Sequence, residues 1–147
     1  MTVRLHKGLS IVDCPEPFAR NMLSVMLSRP VSDLIRNVQT DIKILQVDDV
    51  FLPITLTDYY PDNSYVCSPF NQYFVYGLEE IDLLDNPLLV KILRRLIAPI
   101  KRLYQSRGFD KAVMVNNWLL STNLWQKMTR EQLREMVDFL KVEFPER

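Results

Sequence analysis

The densest group of side chains able to bind a ligand lies at residues 116–123, which read NNWLLSTN. This stretch follows a β-branched run at 111–115 that predicts a buried strand, and ligands of open α/β sheets bind beyond the C-terminal ends of strands. Amide and hydroxyl groups there can hydrogen-bond a carbonyl or an amide group. The candidate binding residues, with two aromatic walls, are Asn116, Asn117, Ser121, Thr122, Asn123, Tyr76 and Trp118. The alternative is a capped turn, in which the same polar side chains bond to local backbone.

Two adjacent carboxylates, Glu79 and Glu80, are the candidate catalytic residues. They end a predicted aromatic strand, where one of two successive side chains must face inward, and burial would raise its pKa toward that of a general base. The alternative is a solvated turn whose carboxylates lie near the N-terminus of the following helix, where negative charge is favourable.

The sequence predicts no metal site. His6 is the single histidine, and the two cysteines, Cys14 and Cys67, lack the short paired spacing of zinc ligands. Neither a P-loop nor a dinucleotide-binding glycine pattern is present.

Composition predicts one globular domain over residues 1–147, with 48% hydrophobic and 24% charged residues. The 18 basic and 18 acidic side chains give a net charge of zero, which excludes the basic excess typical of nucleic-acid binders. No apolar run is long enough to span a membrane, and no N-terminal secretory signal is recognisable. We therefore expect a cytoplasmic protein with two buried, reduced cysteines and with neither a nucleic-acid nor a membrane partner.

The pattern of apolar residues predicts the element order β-α-α-β-β-β-α-β-α, a mixed, largely antiparallel sheet flanked by helices (α/β or α+β). The predicted strands lie at 3–12, 42–47, 50–56, 65–67 with 72–76, and 111–115, and the first helices lie at 16–28 and 31–39. The longest helix, 86–107, has Asn86 as N-cap, Pro87 at its first position and Gly108 after its last residue. Thr129 and Gln132 form a capping box for the last helix.

The end of the chain, Phe144–Pro145, is typical of a helix that closes before another strand. We therefore expect a domain that lacks its last strands, being either truncated at its C-terminus or half of a larger architecture. An unpaired sheet edge then favours completion of the sheet by a partner chain or by a second copy in a homo-oligomer such as a dimer.

The predicted element order resembles the fold of the GNAT family of N-acetyltransferases. The residues that carry the resemblance are YVCSP at 65–69, GLEE at 77–80 and VNNWLLSTNL at 115–124, and the stretch 64–145 is similar to the N-terminal part of bacterial GNAT-like proteins. The resemblance implies acyl transfer from acetyl-CoA or acyl-CoA to an amine. It also implies that the strands carrying Tyr76 and Val115 lie side by side, so that Glu79 or Glu80 approaches Asn116.

One departure from the family pattern concerns the loop that holds the coenzyme A pyrophosphate, Gln/Arg-x-x-Gly-x-Gly/Ala. The corresponding residues 83–87 contain no glycine, and they include Asp85 and the amide-lacking Pro87. Two hypotheses follow: an acyltransferase-like, non-catalytic domain without a standard pyrophosphate loop, or a non-enzymatic interaction subunit that completes its sheet with a partner chain.

Overall fold

The structure is a computed structural model that describes residues 2–6, 14–120, 124 and 127–147. The strands are β1 (Val3–His6), β2 (Asp41–Val47), β3 (Val50–Thr57) and β4 (Ala112–Val115). The helices are α1 (Pro17–Leu27), α2 (Val31–Leu34), α3 (Pro69–Asn71), a π-helix (Gln72–Tyr76), α4 (Gly77–Asp82), α5 (Pro87–Ser106) and α6 (Arg130–Glu143). Within these described ranges no helix is both long and apolar enough to cross a membrane.

The four described strands form one open antiparallel sheet in the order β1-β2-β3-β4. Strands β2 and β3 form a hairpin across a turn at Asp48–Asp49, and Asp48 adopts a φ of 54° that such a tight turn requires. Strand β4 pairs with the far half of β3, with Val115 opposite Ile54. The predicted combination of helices with a largely antiparallel sheet is confirmed at this level.

The side chains of the sheet alternate between two apolar layers, as the two-residue period of a strand requires. Ile42 and Ile44 of β2 pack with helix α1, and Leu45 and Val47 point to the opposite layer, which contains Met136 of α6. Both central strands are therefore buried on two faces.

The segment around 65–82 differs from the prediction, since the strands expected at 65–67 and 72–76 are absent. Ser68 caps a helix by accepting a hydrogen bond from Asn71 N at 3.0 Å, and Pro69 occupies the first helical position. The chain continues through the π-helix into α4, so Tyr76, Glu79 and Glu80 lie on helices and not on a strand. The helix that begins at Ser68, held by the distant carboxylate of Asp110, has overridden the strand preference of the aromatic run QYFVY.

Three smaller corrections concern the limits and burial of elements. Helix α2 ends at Leu34, since Ile35 is extended, so the helix expected over 31–39 is one turn long. Strand β4 is an edge strand and only half-buried, whereas a buried strand was expected. The predicted first strand is confirmed at Val3–His6, and its remainder lies outside the described residues, as do residues 121–123.

Candidate functional site

The described part of the stretch 116–123, residues 116–120, is a loop whose polar side chains form hydrogen bonds within the protein. Asn116 has a φ of 57°, a left-handed conformation that asparagine tolerates. Its Nδ2 donates to the carbonyl of Leu124 at 2.7 Å, and its Oδ1 accepts from Trp118 Nε1 at 2.8 Å. Trp118 is buried in the layer beneath α1. The predicted ligand contacts of Asn116 and Trp118 therefore compete with bonds made inside the protein.

Asn117 links three parts of the structure and is only 2% exposed. Its Nδ2 donates to Thr55 Oγ1 at 2.9 Å and to the carbonyl of Val66 at 2.7 Å, and its Oδ1 accepts from Leu119 N at 3.0 Å. The amide is fully used in joining β3 to the loop that precedes α3. Its geometry is that of a positioning residue. The other predicted binding residues of this stretch, Ser121, Thr122 and Asn123, lie outside the described residues.

Two of the predicted site residues, Tyr76 and Glu80, do line a common groove. It has a volume of about 590 Å³, within the usual range for small-molecule sites. The residues that line the groove are Tyr65, Gln72, Tyr73, Tyr76, Gly77 and Glu80. We call it the tyrosine groove. Tyr76 and Glu80 meet there because residues four apart share one face of a helix.

Two tyrosines of the π-helix point outward because the side chain between them points inward. Phe74, between them in sequence, is buried, with its ring centroid 5.3 Å from that of Phe70 and 4.9 Å from that of Tyr104. With Phe74 inserted, Tyr73 and Tyr76 are left on the solvent side, and Tyr73 is 63% exposed. Single turns of π-helix occur often at functional sites.

Tyr65 also lines the groove, and its ring meets that of Tyr76 edge to face, with the two ring centroids 5.1 Å apart. The backbone beside Tyr65 is fixed, because the carbonyl of Val66 is the acceptor for Asn117. Glu79, the neighbour of Glu80, is exposed and does not line the groove. Tyr65 and Tyr73 were not among the predicted site residues, since the predicted strands at 65–67 and 72–76 indicated a sheet for both and a groove for neither.

Helix α5 carries an exposed apolar stripe along its whole length. Its residues are Leu88, Leu89, Ile92, Leu96, Ile100 and Leu103, between 42% and 67% exposed. We call this set the α5 stripe. A second apolar face of the same helix, which includes Leu93, Ile97 and Tyr104, is half-buried against the rest of the chain. The predicted bounds of this helix are confirmed by its Asn86 cap and by Gly108, which has a φ of 64°.

A buried carboxylate, Asp110, organises the start of the helical segment. It accepts hydrogen bonds from the hydroxyl of Ser68 at 2.7 Å and from the backbone N–H of Phe70 at 2.8 Å. Asp110 is 2% exposed. Burial raises the pKa of the nearby Cys67 thiol to about 11. A backbone hydrogen bond from Gln39 lowers this pKa in part, and the negative charge of Asp110 raises it further. A thiol held neutral in this way is a poor nucleophile.

No group of three or more potential metal ligands occurs among the residues that the structure describes. Comparison of the chain with protein-family models, with curated proteins and with solved structures gave no match. The two surface features that offer contacts to a ligand or a partner are the tyrosine groove and the α5 stripe.

Proposed function

We propose that this chain is a protein-interaction domain whose partner packs along helix α5. The observation that carries the proposal is the α5 stripe, in which six aliphatic side chains form one continuous exposed row. Single exposed apolar residues are ordinary on protein surfaces, whereas contiguous rows of them mark interaction sites.

The energetic reason is the cost of keeping this row in water. Covering apolar surface releases about 25 cal/mol per Å², so each half-exposed leucine or isoleucine contributes on the order of 1 kcal/mol when a partner covers it. The helix has already used its other apolar face, near Leu93 and Ile97, to contact its own domain.

The spacing of the stripe favours a helical partner. Leu89, Ile92 and Leu96 follow the three- and four-residue steps of a coiled-coil seam. Leu103 lies one heptad after Leu96, and the seam position between them is Pro99. A complementary amphipathic helix can insert its own side chains between them, as in helix-in-groove recognition.

The charge of α5 specifies the partner further. Between residues 86 and 107 the chain contains no acidic residue, and its basic residues are Lys91, Arg94, Arg95, Lys101, Arg102 and Arg107. Arg94 is already paired with Asp82. A second α5 would bring like charges together, so we infer a partner helix whose apolar seam is flanked by aspartate or glutamate.

Partner binding at a sheet edge has less support than binding at α5. The described parts of the two edge strands, β1 and β4, span four residues each, which offers few backbone hydrogen bonds to an added strand. The acyltransferase-like hypothesis also has less support, because residues 83–86 connect two helices and contain no glycine for a pyrophosphate loop.

The proposal can be tested with a designed helical peptide that has leucine at its seam positions and glutamate at the flanking positions. We expect it to bind the wild-type chain and to bind the Leu96→Glu variant at least about tenfold more weakly, since a leucine contact is lost and a charge is buried. The measurement is fluorescence anisotropy of the labelled peptide, at concentrations where the peptide alone is monomeric.

Two controls make the test specific. Val142→Glu introduces the same charge at an 83% exposed residue of α6 and should leave binding unchanged. A peptide with lysine at the flanking positions should bind at least about tenfold more weakly than the glutamate peptide. Equal binding of both peptides, binding to anionic vesicles in place of the peptide, or a homodimer that Leu96→Glu dissociates would each contradict the proposed partner.

A further inference from the structure

We propose that the tyrosine groove binds a small organic ammonium ion, such as a quaternary or alkylated amine. The inference is independent of the interaction proposed for α5. It depends on three observations: the three tyrosine rings, the carboxylate of Glu80, and the charge of the surrounding sequence.

The rings supply the main recognition element. An ammonium group within about 6 Å of an aromatic ring is attracted by the negative face of its π-system, and aromatic side chains converging on one site bind quaternary ammonium ligands in this way. Tyr65, Tyr73 and Tyr76 all line the groove, and two of them are fixed by their mutual edge-to-face contact. The buried anchor Phe74 and the Asn117–Val66 hydrogen bond hold the two sides of the groove in place.

Glu80 supplies a formal negative charge at the same groove. An exposed carboxylate beside a bound cation adds a modest but favourable attraction. Gln72 adds a neutral polar side chain, and the groove lining contains no lysine or arginine among the described residues.

The segment of sequence that forms the groove contains no cationic side chain of its own. Between residues 44 and 90 the chain has no lysine, arginine or histidine, while it has acidic residues throughout. The acidic residues of this stretch are Asp48, Asp49, Asp58, Asp62, Glu79, Glu80, Asp82 and Asp85. The segment that forms the groove therefore favours a cation over a phosphate or a carboxylate, with Asp82 alone among these acidic residues paired to a basic residue of α5, Arg94, in the described ion pairs.

Choline chloride is the probe, and 3,3-dimethyl-1-butanol is its uncharged isostere. The measurement is an amide chemical-shift titration of the ¹⁵N-labelled chain at constant ionic strength. Gly77 lines the groove and Gly108 does not, so their two glycine amides give a reporter and an internal reference. We expect choline to shift the Gly77 amide saturably, and the isostere to bind at least about fivefold more weakly because it lacks the cation–π attraction.

Matched variants separate the groove from the general charge of the surface. Tyr76→Leu and Glu80→Gln should each weaken choline binding about two- to fivefold. Glu79→Gln, which removes the same charge one residue away, and Tyr60→Leu, which removes an exposed tyrosine outside the groove, should leave binding unchanged. All four side chains are exposed, so the variants should fold, and the amide spectrum reports whether they do.

Three results would overturn the proposal: a Gly77 amide that does not shift, equal binding of choline and its isostere, or equal losses in Glu79→Gln and Glu80→Gln. Sedimentation with phosphatidylcholine vesicles identifies the source of the ammonium group. Sedimentation that Tyr76→Leu abolishes assigns the groove to a lipid headgroup, and choline binding without sedimentation assigns it to a free ion.

Discussion

Asp110 and Ser68 are 42 residues apart in the sequence, yet the Ser68 hydroxyl donates a hydrogen bond of 2.7 Å to the Asp110 carboxylate. The same carboxylate accepts from Phe70 N, and the Ser68 oxygen in turn accepts from Asn71 N. Asp110 thus fixes the first turn of the segment that presents the tyrosine groove. A carboxylate this buried is stabilised by such charge-assisted hydrogen bonds.

Replacement of Asp110 tests this organising role. Asp110→Ala leaves the Ser68 hydroxyl and the Phe70 N–H buried without their acceptor, so we expect the free energy of unfolding to fall by roughly 3 kcal/mol. Urea unfolding followed by circular dichroism measures the change. Asp62→Ala removes an exposed carboxylate and should alter stability by no more than about 0.5 kcal/mol. Equal effects of the two variants would contradict the role assigned to Asp110.

The buried thiol of Cys67 predicts a loss of stability in alkaline solution. In the unfolded chain the thiol has a pKa of 9.0, and burial raises the pKa of the folded state to about 11. As pH rises through this window the unfolded state binds fewer protons than the folded state, so the free energy of unfolding falls, by about 2 kcal/mol in total.

Comparison with two alanine variants isolates this contribution from the titration of other groups. Cys67→Ala should have a shallower decline of stability between about pH 9 and about pH 11, measured by urea unfolding at several pH values. Val38→Ala shortens a fully buried side chain that has no titrating group and should keep the wild-type slope. If the slope persists in Cys67→Ala, the thiol titrates normally in the folded chain.

The α5 stripe predicts a contrast between two leucines in the isolated chain. Leu45 is fully buried in the sheet, so Leu45→Ala should lower the free energy of unfolding by about 2–5 kcal/mol. Leu96 is 61% exposed, and alanine is a better helix former, so Leu96→Ala should be neutral within about 0.5 kcal/mol. Thermal and urea unfolding measure both. A large destabilisation by Leu96→Ala would mean that the stripe is covered in the isolated chain.

The sequence predicted elements whose signals are local. Helix α5 begins after its N-cap Asn86 and ends before Gly108, because the residues at each end determine the capping geometry. Helix α6 begins after the Thr129–Gln132 capping box for the same reason. The alternation of Ile42 and Ile44 against polar neighbours predicted β2 through the period of a strand.

The region 65–82 could not be predicted in the same way, because distant contacts decide its structure. The run QYFVY has the composition of a strand. A helix nevertheless begins at Ser68, whose hydroxyl donates a hydrogen bond to the distant Asp110, and Phe74 packs against Tyr104. The expected proximity of Glu80 to Asn116 depended on a strand at Tyr76, and the prediction of that strand is wrong. Tyr76 and Glu80 were nevertheless selected together, and helical spacing places both in the tyrosine groove.

Acetyl-CoA provides a test of the acyltransferase-like hypothesis. In that family the backbone amides at a helix N-terminus hold the pyrophosphate, and the corresponding position here is the start of α5. The first two available amides, of Leu88 and Leu89, already donate to Asn86 Oδ1 at 3.1 Å each, and Pro87 has no N–H. Asp85 adds a negative charge beside this position.

We therefore expect acetyl-CoA to leave the melting temperature unchanged in a thermal-shift titration, since only a ligand that binds the folded state raises it. The Asp85→Gly variant removes the repulsive charge but keeps the Asn86 cap, and it should also remain unchanged. A saturable rise in melting temperature for the wild-type chain would show that coenzyme A binds, and the acyltransferase hypothesis would then take precedence over a purely interacting domain.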